Sequence, residues 1–295
     1  MKEKMALFAF ILLGLPGMAA GQAPAQAQNP LQRQYREGET LVYQMTGVNE
    51  SWHYTVKAEG VVKKEASGTF VEEYAWKDLV SDGQPAVLAP GTESFRQRLT
   101  LDPNVNPSGP DLSKADPRLI GPTLDFMTFY VDLWLALKTG QVTKPGDHFY
   151  FPMGTPSSWA DGSRVLVGVS SVDFDFTLQS VDKASGTAVL VVKHVPPETP
   201  HIPLPAAWMQ APVAGTANNW VELMKQPDGK FLGGVGQETF TVELKVSLAD
   251  GKILSGTMDN VVKTVMRTCD DQALTQCGAP QPHEIVRKIE IALER

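Results

Sequence analysis

The chain of 295 residues carries 26 lysines and arginines against 33 acidic residues, a formal charge of −7, with 42% hydrophobic and 20% charged residues. That balance describes an ordered globular chain and excludes a disordered or coiled-coil one; without a Lys/Arg-rich face, an acidic protein is not built for nucleic acid or anionic lipid as its main partner. The 25 glycines and 22 prolines imply many turns.

At the N-terminus, Lys2 and Lys4 precede an apolar run over residues 5–15, then Pro16, Gly17 and small residues through Gly21. This is the pattern of a secretory signal peptide, residues 1–21, cleaved after Gly21 or, as second choice, after Ala27. The run is too short to anchor the chain in a bilayer, so the mature protein is expected to have no transmembrane span and to reside in a periplasmic or extracellular space. Residues 22–34 open with the small and polar stretch QAPAQAQN. They read as a disordered tether, and residues 35–295 as a single β-rich domain.

Within that domain, alternation with period two dominates. Trp52, Tyr54, Val56 and Ala58 alternate with polar neighbours, as do Phe70, Tyr74 and Trp76, and Val172, Phe174, Phe176 and Leu178. The clearest case is Phe240, Val242, Leu244, Val246 and Leu248, which stops at the tight-turn pair Asp250-Gly251. Asp-Gly recurs at Asp82-Gly83, Asp161-Gly162 and Asp228-Gly229, and Ser-Gly at Ser185-Gly186 and Ser255-Gly256. The expected fold is mainly β: a single antiparallel meander of about ten strands, curved into a half-barrel or open barrel.

The exception is residues 123–138, TLDFMTFYVDLWLALK, which hold no Gly or Pro and place Leu124, Met127, Val131, Trp134 and Leu135 on one helical face. A helix is expected there, capped by Thr123 and stopped at Gly140. Phe126, Phe129, Tyr130, Leu133 and Leu137 extend the apolar surface nearly all round, so the helix must be covered on more than one side and is placed on the concave side of the sheet. Prolines make loops of residues 102–122 and 196–212. The second loop carries Ile202, Leu204, Trp208 and Met209, and either packs onto the body or covers an opening.

Cys269 and Cys277 are the only thiols, and an exported chain is expected to join them in a disulfide, a staple on a hairpin. Two cysteines without paired histidines do not make a zinc site. No nucleophile elbow, phosphate loop or zinc-protease motif is complete: His283-Glu284-Ile285-Val286-Arg287 has arginine where the second metal-binding histidine is required. The five histidines are scattered and read as solvated or structurally bonded. Asp173 and Asp175 lie on the polar side of a strand and read as solvated, and Asp132, amid apolar residues, as lying at an edge. Arg287 shares a strand face with Ile285, Ile289 and Ile291; it needs a carboxylate partner or a ligand if it points inward, and none if the strand bulges or it sits at the rim.

The helix TLDFMTFYVDLWLALK, the strand pair FTVELKVSLADGKILSGTMDNVV and the closing strand HEIVRKIEIALE follow a signal peptide in a turn-rich chain. Together they resemble the periplasmic half-barrel carriers of lipoproteins and lipids, over residues 39–294 and in architecture. The resemblance implies a non-catalytic protein that binds a lipid or lipoprotein acyl chain in an apolar concavity, with the helix and a loop as movable cover and no cofactor or metal. No residue is carried over from that family; read from this sequence itself, the ligand-binding candidates are Phe129 and Trp134 of the helix, Trp208 and Met209 of the loop, and Arg287. The alternative is a structural or protein-interaction module of the envelope whose concavity is filled by its own helix; a hydrolase with a site built from scattered residues is the third reading.

Overall fold

The computed structural model describes residues 29–159 and 165–294. The expected signal peptide, the first part of the expected tether and the expected Asp161-Gly162 turn lie outside the described residues. The strands are β1 (Thr40–Asn49), β2 (Trp52–Lys64), β3 (Phe70–Ser81), β4 (Gln84–Pro85), β5 (Gln97–Leu99), β6 (His148–Phe151), β7 (Ser157–Trp159), β8 (Val165–Ser170), β9 (Asp173–Asp182), β10 (Thr187–Val195), β11 (Trp220–Lys225), β12 (Phe231–Ser247), β13 (Ile253–Cys269) and β14 (Gln281–Leu293), with one helix, α1 (Pro117–Thr139). Among the described residues, 14 strands form one antiparallel sheet whose main path runs β4-β3-β2-β1-β14-β13-β12-β10-β9-β6. Its two ends do not pair with one another, so the sheet is open, a half-barrel with α1 on the concave side.

Two features of register organise the molecule. The C-terminal strand β14 lies between β13 and β1, pairing Ile291 with Met45 and Gly256, which carries the N-terminal and C-terminal hairpins into one sheet. Strand β12 is long enough to serve two partners: residues 240–247 pair with β10 and residues 231–236 with β11, which leads on to β8 and β7.

Because side chains alternate along β12, its even-numbered residues Val242 and Leu244 face α1, whereas Val235 points to the opposite face. There it joins Val169, Val221, Leu223, Met209, Cys269 and Leu274 in a second apolar cluster. The molecule therefore has two cores, one on each face of the same sheet. The Pro-rich loop after β10 packs over the second, with Met209 fully buried.

The main core is aromatic. Phe126 of α1 meets Tyr43, Tyr74 and Trp76 edge-on at centroid distances of 5.3, 5.0 and 5.7 Å, geometries favoured by the ring quadrupole. Phe129 sits over Gly256 of β13, where a Cβ would fall 2.8 Å from the ring. Ser255-Gly256 is thus a close-approach site inside a strand and not the turn its sequence resembles. The Asp250-Gly251 turn is present, and Gly251 (φ 69°) carries the backbone of Gln32 against it, 2.4 Å from where a Cβ would stand.

Three expectations are corrected. The last residues of the presumed tether are packed: Leu31 is fully buried, and Arg33 is buried against Glu72 and Glu39 at 2.9 and 2.7 Å. The helix begins six residues earlier than expected, at Pro117, so part of the proline-rich stretch is helical. Asp116, not Thr123, is its cap, accepting from the Arg118 amide at 2.9 Å, with proline in the first turn where no amide is needed. Pro122 inside the helix removes one backbone bond, and burial of Leu119 in the added turn offsets that loss.

The sequence left open which side of the helix faces the sheet. Leu124, Met127, Val131 and Trp134 are half-buried, while Leu135 and the set Phe126, Phe129, Tyr130, Leu133 and Leu137 are buried. The helix is apolar on both sides, so apolar count alone does not choose between them; Phe126 packs edge-on against the sheet rings Tyr43, Tyr74 and Trp76.

Candidate functional site at the mouth of the half-barrel

Helix α1 is fastened to the concave face by a buried hydrogen bond from Gln97 Nε2 to the Thr123 carbonyl at 2.9 Å and by three of its own side chains, Asp125, Tyr130 and Asp132, set among apolar ones. At its N-terminal half, Asp125 pairs through Oδ1 with Nη2 of Arg287 and accepts through Oδ2 from the Tyr54 hydroxyl at 3.3 Å. In its middle, the Tyr130 hydroxyl donates to Glu72 Oε2 at 2.5 Å, and Glu72 also receives Arg33 Nε at 2.9 Å and the Tyr74 hydroxyl at 3.0 Å. One residue pair along, Asp132 Oδ2 lies 2.9 Å from His194 Nε2 on β10, and the His194 ring stacks on Phe240 at 3.6 Å.

Burial sets the electrostatics of these contacts. It pushes the Asp125 carboxyl above the usual carboxylate range, against the opposing pull of Arg287. Asp132 is pushed up for the same reason, with His194 opposing. The Tyr54, Tyr74 and Tyr130 hydroxyls are raised by burial and by the carboxylate each faces, so all three stay protonated and act as donors. His194 Nδ1 and Asp132 Oδ1 are buried with no hydrogen-bond partner among the described residues. A tautomer with its proton on Nε2 fits that arrangement, because a proton on Nδ1 would have no acceptor.

Asp125 and Asp132 are seven residues apart, two helical turns, and so project from the same face with Phe129 between them. Asp132 is wholly buried, which corrects its placement at an edge. Arg287 points inward with Ile289 and Ile291 and has its carboxylate partner, yet 28% of its side chain remains exposed. Its other contact is Nη1 to Asn260 Oδ1 at 3.4 Å, and Asn260 in turn donates to Glu238 Oε1 at 3.1 Å.

Of the five residues singled out as ligand-binding, the structure brings two to one face: Phe129, fully buried, and Arg287. Trp134 lies on the outer side of α1, its Nε1 donating to the Asp102 carbonyl at 3.0 Å and Lys138 over its ring. Trp208 and Met209 are on the opposite face of the sheet, in the second core, Trp208 donating to the Leu274 carbonyl at 3.2 Å. The loop that bears them packs onto the body and does not cover the concavity. Asp173 is not solvated either: it accepts from the Tyr150 hydroxyl and from the Met153 amide at 2.9 Å.

The concavity is filled by α1. Space remains beside the helix, in a cleft of about 170 Å³ lined by Val71, Leu99, Val105, Pro107, Tyr130 and Val131, with the Arg98–Glu65 ion pair at its rim. Thr100, Asn106 and Ser108 also line it, and Val131 connects it to the half-buried Leu124 and Met127 of α1. The disulfide between Cys269 and Cys277 is present, far along β13 in the second core. Among the described residues no helix is long and apolar enough to cross a membrane, and no cluster of side chains is suited to hold a metal. Comparison with protein-family models, with curated proteins and with solved structures finds no match.

Proposed function

We propose that the protein is an exported, non-catalytic carrier of an apolar, acyl-like ligand, described here in a closed form in which α1 occupies the place of that ligand. One observation carries the reading: an almost wholly apolar helix fills the aromatic concavity but is tied to it by side-chain pairs, Asp125–Arg287, Tyr130–Glu72 and Asp132–His194. Buried polar pairs add little net stability compared with apolar packing and specify one arrangement of the parts they join. A helix held in this way can leave as a unit, uncovering a ring-lined trough. The half-buried Leu124 and Met127, with the cleft that Val131 joins to them, offer a first landing place.

The N-terminal pattern of Lys2, Lys4 and residues 5–15, with a disulfide that suits an oxidising compartment, supports the exported half of the proposal. The test is native mass spectrometry of the protein purified without detergent, followed by organic extraction. A co-purifying acyl species near one per chain is expected. A clean apo mass that also refuses added fatty acids and phospholipids would overturn the carrier.

A second reading, an interaction module of the envelope with no small ligand, draws on the completeness of the packing: Phe126, Phe129 and Leu133 have no exposed surface. Under it α1 never leaves, and a disulfide engineered to pin α1 to β13 would change neither partner capture nor function. Under the carrier reading the same pin abolishes acyl binding.

A further inference from the structure

The contacts made by Asp125, Tyr130 and Asp132 of α1 differ in what they leave behind when the helix departs. Glu72 loses Tyr130 but keeps Arg33 and Tyr74, so its carboxylate remains neutralised and hydrogen-bonded. His194 loses Asp132 and is left with its ring between Phe174 and Phe240. Arg287 has no such refuge. A guanidinium cannot shed its proton, and the carboxylate that directly meets it belongs to Asp125 on the departing helix.

The nearest other acid, Glu238 on β12, is engaged by Asn260 Nδ2, and Asn260 rather than Glu238 touches the guanidinium. Tyr54, opposite Gly47 on β1, likewise loses the acceptor of its hydroxyl. Opening therefore uncovers two donors that had converged on the two oxygens of one carboxylate, at the end of an apolar trough.

Resting on the carrier reading above, we infer that the ligand is a single-chain amphiphile with an oxyanion head group, its head taking the place of the Asp125 carboxylate on Arg287 and Tyr54 and its chain taking the place of the Phe126–Phe129–Leu133 side of α1. The helix is then an internal copy of the ligand: a carboxylate followed by an apolar body. The two compete for the same donors, and a ligand without a charged head would leave the guanidinium unpaired beside an apolar wall.

Competition binding with a fluorescent acyl probe, displaced by palmitate, by the alcohol of equal chain length and by the corresponding alkyl phosphate, tests this. Palmitate is expected to bind at least about tenfold tighter than the alcohol, the worth of one charge-assisted hydrogen bond. A phosphate that outcompetes palmitate would assign the head to a phosphate, and the reverse order to a carboxylate; both stay within the inference. Arg287→Gln should bring acid and alcohol to equal affinity, and Asp125→Asn, which removes the internal competitor while keeping the shape, should widen the ratio in favour of the acid. Arg287→Lys retains the charge and should retain part of the preference. Equal affinity of the unmodified protein for acid and alcohol would overturn the inference and leave the carrier standing. Binding of no chain at all would overturn the carrier and the inference with it.

Discussion

The two faces of the sheet solve the same problem of covering apolar strands by opposite means. On the concave face a single helix between loops is joined to the sheet through Asp125–Arg287, Tyr130–Glu72 and Asp132–His194. On the other face a proline-rich loop lies over Val221, Leu223 and Val235, held by Met209 in the core, by Asn218, whose side chain donates to the Met209 and Ala211 carbonyls at 2.8 and 2.9 Å, and beside a covalent staple. Polar pairs can be exchanged for other polar partners, whereas prolines and a disulfide restrict the chain before it folds. The contrast sets a helix joined through polar side-chain pairs in the larger core against a loop restrained by prolines and a disulfide over the smaller one.

The sharpest way to break the contrast is to remove one large side chain from each core. Phe129→Ala takes a fully buried ring from between α1 and Gly256 and is expected to cost about 4 kcal/mol of global stability, read as a shift of the denaturant midpoint. Met209→Ala removes a flexible side chain from a small satellite cluster whose loop can settle into the gap, so about 2 kcal/mol is expected. Its signature should be local: faster amide exchange and proteolysis over residues 196–218 with α1 still protected. If Met209→Ala exposed α1 as readily as Phe129→Ala, the two cores would be one cooperative unit and the contrast would fall.

Between these in size stands the staple. Replacing Cys269 and Cys277 together by serine frees a loop of eight residues and is expected to lower stability by about 2.5 kcal/mol through the entropy of the unfolded chain. The loss should appear equally on adding a reductant to the unmodified protein. Under the carrier proposal acyl binding should be unaffected, because the bridge lies on the face opposite α1. An equal loss of binding would join the two faces functionally.

How far the sequence foretold this arrangement depends on whether the deciding contact is local. The strand over residues 240–248, the Asp250-Gly251 turn, the helix stop at Gly140 and the disulfide are all set by neighbours in sequence, and all are present. The inward Arg287 was visible as a lone charge on an isoleucine face, but its partner is 162 positions away on α1, and nothing local names it. Asp125 and Asp132 carried a usable signal, two carboxylates a whole number of turns apart on an apolar helix with Phe129 between, which puts both on whichever face Phe129 occupies. That face was decided by the rings of Tyr43, Tyr74 and Trp76, contributed by two other strands. For Trp208 and Met209 the sequence left open whether their loop packs onto the body or covers an opening; it packs, on a face created where β12 takes a second partner, and a branch of that kind leaves no periodicity of its own.

The smallest effect concerns the start of α1, where the concave element joins its loop. Asp116 caps the helix through the Arg118 amide, also accepts from the Ala89 amide at 2.7 Å, and pairs with the Arg118 guanidinium. The Arg118 side chain, with the two amides, outweighs burial and holds the Asp116 carboxyl down to about 2. A carboxyl lowered in the folded state contributes stability at pH values above its ordinary 3.8 and loses that contribution as the pH falls through about 2. Asp116→Ala is therefore expected to cost about 1 kcal/mol at neutral pH, the usual worth of a cap. The difference between it and the unmodified protein should shrink steadily below pH 4. Asp125 and Asp132, raised by burial, are shifted in the opposite sense. A stability difference that grew on acidification would mean that Asp116 is protonated in the fold, and the helix would then be anchored at its start by packing of Leu119 and not by its cap.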